Sequence, residues 1–169
     1  MVEYRPATPD DTEAMIETLD QGFSTYAAFL PPGWAPPPAQ LEGSRVAERL
    51  ADPSTWLWLA EADGAVVAHV GFGQARTHDD ARAPIRGLAH LFHLFVREPY
   101  WGSGIAGELH ERAVTEAARR GFGGMRLFTP AGQARARAFY ERRGWTTDGA
   151  AKHEPMLALD LVEYRRPLP

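Results

Sequence analysis

The sequence predicts a mixed α/β fold in one domain spanning residues 1–169. Three observations carry this. Strand-like and helix-like patterns alternate along the whole chain, and no repeat, linker or shift in composition marks a boundary. Near the middle, residues 88–96 read Leu-Ala-His-Leu-Phe-His-Leu-Phe-Val, nearly continuous apolar sequence that suits a central strand covered on both faces. Soon after it, Gly102, Gly104 and Gly107 fall within six positions and lead into a helical pattern.

The elements follow in order. Residues 2–7 alternate as a short strand. Thr8-Pro9-Asp10-Asp11 opens a helix: Thr8 or Asp10 can cap it, Pro9 suits the first turn, and acids favour its positive end. Met15, Ile16, Leu19 and Phe23 give that helix an apolar face. Residues 29–39 are crowded with proline (Pro31, Pro32, Pro36, Pro37, Pro38) and form a loop. A second helix covers 39–50, with Leu41, Val46 and Leu50 inward. Residues 56–60 form a strand, Asp63-Gly64 a hairpin turn, and 65–75 the returning strand. Residues 77–84 are a polar connection to the central strand. Beyond the glycines, 104–120 is a helix with Ile105, Leu109, Ala113 and Ala117 four apart, ended by the glycines of 121–124. Residues 124–129 form a strand and 133–143 a helix stopped by Gly144. Residues 145–147 and 156–162 read as closing strands.

The glycine turn matches G-x-G-x-x-G, but its setting is wrong for a dinucleotide fold. Five residues, 97–101, separate the strand from the first glycine. No acid stands about 20 residues further on, where Phe128-Thr129-Pro130 lies. A P-loop is excluded, because the chain has no Gly-Lys-Ser/Thr. What remains is a backbone able to approach a ligand closely, followed by the positive end of a helix. That is an anion site suited to phosphate, or else a plain strand-to-helix turn.

A second stretch, Gln133-Ala-Arg-Ala-Arg-Ala-Phe-Tyr140-Glu-Arg-Arg-Gly144-Trp145, places a tyrosine four residues before a glycine and an aromatic. Together the two stretches resemble the GNAT superfamily of acyl-CoA-dependent N-acyltransferases. Leu94-Phe95-Val96 and Pro99 match its central strand and following loop. Trp101-Gly102-Ser103-Gly104-Ile105-Ala106 matches its pyrophosphate signature, with Trp101 where Arg or Gln is usual. Gln133, Tyr140, Gly144 and Trp145 match its later motif, with Gln133 where Asn is usual. The resemblance covers about the last 110 residues in detail, and the first 60 agree in element order.

This resemblance implies a GNAT-like central sheet, mixed but mostly antiparallel, of six to seven strands flanked by about four helices. It implies acetyl-CoA as cosubstrate and a primary amine, on a small molecule or a protein, as acceptor, with direct attack through a tetrahedral intermediate. Backbone groups of Leu94 and Val96 would pair with the pantetheine arm, an N–H near Phe95 or Val96 would face the thioester oxygen, and amides of 102–106 would hold the pyrophosphate. Of the arginines on the last two helices, Arg135 or Arg137 would meet the 3′-phosphate.

Tyr140 would give a proton to the departing thiolate, since a phenol titrates above a thiol. Its alternative is packing against Phe139. The glutamate common on the family's central strand is absent. The base is therefore His93, His90 or a water, with His93 preferred. Three residues apart on a regular strand, the two histidines face opposite ways unless a bulge intervenes. Trp34, Tyr26 and Phe29 would wall the acceptor pocket, and Glu154 would attract a cationic amine. A non-catalytic acyl-CoA-binding module would keep the same cleft.

Composition sets the outer bounds. A 169-residue chain buries about 70% of its unfolded surface and needs no covalent or metal staple. It contains no cysteine, which removes disulfides, thiol nucleophiles and thiolate metal sites. A net charge of −4 gives no reason to expect nucleic acid as partner. No apolar run approaches the ~18 residues of a membrane span, so a cytoplasmic protein is expected. The closing strands offer an edge on which a homodimer can form.

Overall fold

The computed structural model describes residues 1–79 and 81–169, and only the backbone of residues 39–41. The predicted inward position of Leu41 lies outside the described side chains. Along the chain run β1 (Val2–Pro6), α1 (Thr12–Ser24), α2 (Ala39–Ala51), β2 (Trp56–Ala62), β3 (Ala65–Arg76), β4 (Pro84–Val96), α3 (Ile105–Arg119), β5 (Gly124–Pro130), α4 (Ala134–Glu141), β6 (Ala151–Glu154) and β7 (Leu159–Pro167). The seven strands form one sheet in the order β1-β2-β3-β4-β5-β7-β6. Every pairing is antiparallel except β4 with β5. This is the mixed, mostly antiparallel architecture expected. No helix among the described residues is long and apolar enough to cross a membrane.

Two cores sit on the two faces of the sheet. On one, Ile105, Leu109, Ala113 and Ala117 of α3, with Tyr140 and Trp145, pack on Val70, Phe72, Leu91, Met125 and Leu127. The four-residue spacing of the α3 apolar positions is what lays them along a single stripe. On the other face, Met15, Leu19 and Phe23 of α1 and Val46 of α2 pack on Leu57, Leu59 and Val66.

The local signals act as read. Thr8 donates its backbone N–H (2.7 Å) and hydroxyl (2.9 Å) to Asp11 Oδ2, closing the entry to α1. Arg5 forks onto the same carboxylate at 2.7 and 2.8 Å, and its hydrogen bonds pull the Asp11 pKa down to about 2. Asp63 (φ +53°) and Gly64 (φ +77°) make the β2–β3 hairpin turn, where both central residues need positive φ.

The C-terminal part departs from expectation. Residues 145–147 contribute only the bridge Thr146↔Arg165, because Trp145 is drawn into the core, where its Nε1 donates to His110 Nε2 at 2.8 Å. Residues 151–154, unassigned from sequence, form β6. The strand expected over 156–162 starts later, at Leu159, after a turn in which Ala158 has φ +50°, and runs on to Pro167 along the whole of β5. Its buried positions Leu159, Val162 and Tyr164 follow that pairing rather than the apolar residues 156 and 157. The central strand also begins four residues earlier than expected, at Pro84.

Candidate active site

β4 pairs with β5 over only three positions, Leu88↔Gly124, Ala89↔Met125 and His90↔Arg126. Beyond them the strands part, and the β5-facing edge of β4 is open. Arg97 N–H donates to Val67 O at 2.9 Å, which makes that pair a hydrogen-bonded rung with β3. By alternation Phe95 also turns its N–H and C=O to β3, while Leu94 and Val96 turn theirs to the open edge. Of the two amides expected to face a thioester oxygen, Val96 N–H faces the cleft and Phe95 N–H does not. Trp101 occupies one group on that edge: its Nε1 donates to Val96 O at 2.8 Å. The gap widens into a cleft of about 950 Å³ that takes in Leu94, Phe95, Val96, Trp101, Gly102 and Tyr140.

The glycine turn closes one end. A 3₁₀ turn, Glu98–Tyr100, brings the chain round to Gly102 (φ +82°) and Gly104 (φ +92°), and α3 starts at Ile105. A Cβ at either glycine would meet open space, so the left-handed backbone, not crowding, selects glycine there. Among the described residues, the amides of Gly102, Gly104, Ala106 and Gly107 have no acceptor, and Ile105 N–H reaches Ser103 Oγ only at 3.5 Å. Four free donors at a helix N-terminus suit an anion. Three cations stand near. Arg135 lies over the Trp101 ring at 4.3 Å, Arg143 lies over Phe139 at 3.9 Å with its Nη2 against Gly107, and Arg142 lines the cleft. Arg137 is engaged elsewhere, donating to Tyr164 Oη at 3.0 Å and Ala131 O at 3.1 Å. Gln133 lines the cleft and accepts from Thr129 Oγ1 at 3.4 Å.

Tyr140 borders the same space. It is buried, its hydroxyl has no hydrogen-bond partner among the described residues, and burial pushes its pKa up. The histidines are arranged otherwise than a regular strand would place them. The β3–β4 register passes from Gly71↔His93 to Phe72↔Leu91, so Phe92 is an extra residue, a β-bulge. The bulge restores the phase between His90 and His93, and both face the α1/α2 side with Phe92 between them, not opposite sides.

His93 is buried, and Arg49 of α2 meets its Nε2 at 2.7 Å. A guanidinium only donates, so Nε2 accepts and the proton of His93 sits on Nδ1, 3.3 Å from His69 Nε2. Burial first, then Arg49, holds the His93 pKa well below its usual value. The nitrogen of His93 that a base would use is thus occupied by a permanent cation. Among the described residues the buried His90 Nδ1 has no hydrogen-bond partner, and burial lowers the His90 pKa to about 3.

The sequence profile of the Acetyltransferase (GNAT) family matches residues 19–145, three quarters of the chain. The chain belongs to the GNAT acetyltransferase family. Solved structures agree on the fold. An N-acetyltransferase from Staphylococcus aureus Mu50 superposes with a TM-score of 0.77 at 18% identity, covering 100% of this chain and 99% of its own. PaiA N-acetyltransferase from Thermoplasma acidophilum, in complex with coenzyme A, gives 0.70 at 16%, covering 96% and 98%. The ribosomal-protein-S18-alanine N-acetyltransferase from Escherichia coli gives 0.70 at 17%, covering 99% and 94%. No curated protein matches the sequence.

The cosubstrate of this GNAT acetyltransferase is acetyl-CoA, and the free amides of its glycine turn and the open edge of β4 fit a chain of phosphates and amides. Three members of the site were not found from its sequence. Arg49 and His69 were passed over because only the apolar positions of α2 and β3 were weighed. Arg143 is one of six arginines on or beside the last two helices (Arg119, Arg120, Arg135, Arg137, Arg142 and Arg143), and such a cluster reads mostly as a solvated face. A usable signal for Arg49 existed: Glu42, Arg45 and Arg49 recur at helical spacing on one side of α2.

Proposed function

We propose that this acetyltransferase moves the acetyl group of acetyl-CoA to a primary amine by direct attack through a tetrahedral intermediate, in the cleft between β4 and β5. The observation that carries the proposal is the coincidence, in one cleft, of the open Leu94/Val96 edge with glycine-turn amides and a Tyr140 hydroxyl that have no partner among the described residues. Acetyl-CoA supplies an acetyl group activated as a thioester. The amides of 102–107, with Arg135 and Arg143, hold its phosphates. Leu94 and Val96 position its amide arm as an added strand would be positioned, and Val96 N–H stabilises negative charge on an acyl oxygen. Tyr140 Oη holds its proton until a thiolate forms beside it, then donates it. The attacking amine gives its proton to water, because His93 is occupied by Arg49 and His90 holds a proton poorly near neutrality.

Thermal unfolding with CoA, acetyl-CoA and NAD, each at about a hundred times a micromolar dissociation constant, tests the binding half. Both CoA forms should add about 2.7 kcal/mol, a rise of several degrees, and NAD none. Release of free thiol from acetyl-CoA across an amine panel tests the chemistry. A CoA shift without thiol release from any amine would leave a binding module and sink the catalytic proposal.

A further inference from the structure

α2 sends two arginines, one helical turn apart, into the cleft. Arg45 is neutralised: its Nη1 donates to the buried Glu42 Oε1 at 2.8 Å, and its Nη2 rests on Met156 Sδ at 3.3 Å. Arg49 is not. Among the described residues no carboxylate pairs with it; its hydrogen-bond partner is the neutral His93, and its guanidinium lies over the Phe92 ring at 3.9 Å. Glu42 and Glu48 act on it only from beyond ion-pair distance, and a largely buried cation with no carboxylate in contact is costly, since charge removed from water needs an opposite charge to compensate it.

The cation is also held in place. His93 Nε2 accepts from it, His69 backs His93 from β3, and the bulged Phe92 ring supports its face. Those contacts use one nitrogen of the guanidinium and leave further donors for a planar two-oxygen partner. The charge count favours one negative charge. Away from the glycine turn the described cleft is lined by Arg45, Arg49 and Arg82 against Glu42 and Glu154, an excess of one positive charge. Leu19, Phe23, Tyr26, Leu157 and Leu161 supply apolar wall.

We infer that the acceptor carries a carboxylate that pairs with Arg49 while its amine lies at the open edge of β4, making it a small amino acid or amino-acid-like molecule with an apolar body. This names the acceptor class for the acetyl-transfer reading above and rests on it. Phe92 and Arg49 define the carboxylate end, and His93 and His69 are positioning residues for the guanidinium.

The test pairs amino acids and ω-amino acids with their carboxamides as acceptors, followed by thiol release. Wild-type kcat/KM should favour the carboxylate member by about tenfold or more, chiefly through KM, as loss of a charge-assisted bidentate pair implies. Arg49→Gln should bring the ratio near one and Arg49→Lys should keep part of it, with the CoA-induced thermal shift intact in both as a check on folding. A wild-type enzyme that uses each pair equally, or prefers the carboxamides, overturns the inference, and this arm needs no variant. If CoA binds but no amine releases thiol, the acetyl-transfer reading fails on its own. Calorimetric titration of the same pairs into CoA-loaded protein then decides: tighter binding of the carboxylate supports the Arg49 site, and equal or absent binding overturns it.

Discussion

Among the described residues the Tyr140 hydroxyl has no hydrogen-bond partner in the cleft, and burial raises its pKa and keeps it protonated. Tyr140→Phe removes one oxygen and little packing, so kcat should fall about a hundredfold or more while CoA affinity holds; parallel loss of both would mean the ring, not the proton, matters. The imidazoles lead to the opposite expectation. His90 and His93 are both held far toward the neutral form, so log kcat/KM should rise with pH along the acceptor's own ionisation, with no inflection near 6.5. An inflection there that disappears in His90→Gln would make His90 the base after all. The place of Tyr140 beside the cleft was legible because its distance from Gly144 and Trp145 is a local spacing. Arg49 was less so, because Glu42, Arg45 and Arg49 at helical spacing read equally as a solvated charged stripe until the strand beneath them is known. The Arg49 contact of His93 was not legible, because sequence does not show which donor takes its lone pair.

Among elements, the bulge in β4 and the left-handed turn before α3 shape the cleft. Gly71 lies opposite the bulge, and a Cβ there would run into Leu57 Cδ2 and come within 2.6 Å of Phe92 Cε2. Gly71→Ala should cost about 1–3 kcal/mol by overpacking, seen as a lower urea midpoint, and should raise the acceptor KM by displacing the ring beneath Arg49. Gly104→Ala meets no neighbour, yet should still cost about 1–2 kcal/mol, because φ +92° suits only glycine, and should shrink the CoA-induced thermal shift. Periodicity revealed most of the elements, since each buries one stripe or one face. It could not reveal the bulge, which is a mismatch in length between two strands and belongs to neither alone. It also misplaced the last strand, where apolar Met156 and Leu157 sit in a turn and the true register is fixed by pairing with β5.

For the whole molecule, buried imidazoles set the acid limb of stability. Burial lowers His69 and His90 to about 3 and His110 to about 4, and His93 well below normal, from 6.5 in the unfolded chain. Below pH 6.5 the unfolded chain binds protons that the folded chain refuses. The stabilisation is therefore complete above 6.5 and drains away as pH falls toward the folded values, by up to about 1.4 kcal/mol per pH unit for each group. Asp11, drawn down to about 2 by Arg5, adds a loss in the same direction below pH 4. Urea midpoints should drop steeply between pH 6.5 and 5; a flat profile over that interval would mean the imidazoles are far more open to water than their burial implies. Charge and composition do not foretell this behaviour, which depends on which histidines the fold encloses.

The short parallel seam between β4 and β5 has a mechanical consequence. Among the described residues three paired positions form the only ladder joining a four-stranded plate to a three-stranded one, so the sheet is weakest along the line of the proposed cleft. A molecule bound across that line splints the two plates. Occupancy and stiffness should then rise together, and amide hydrogen exchange in Gly124–Pro130 should slow when CoA is bound.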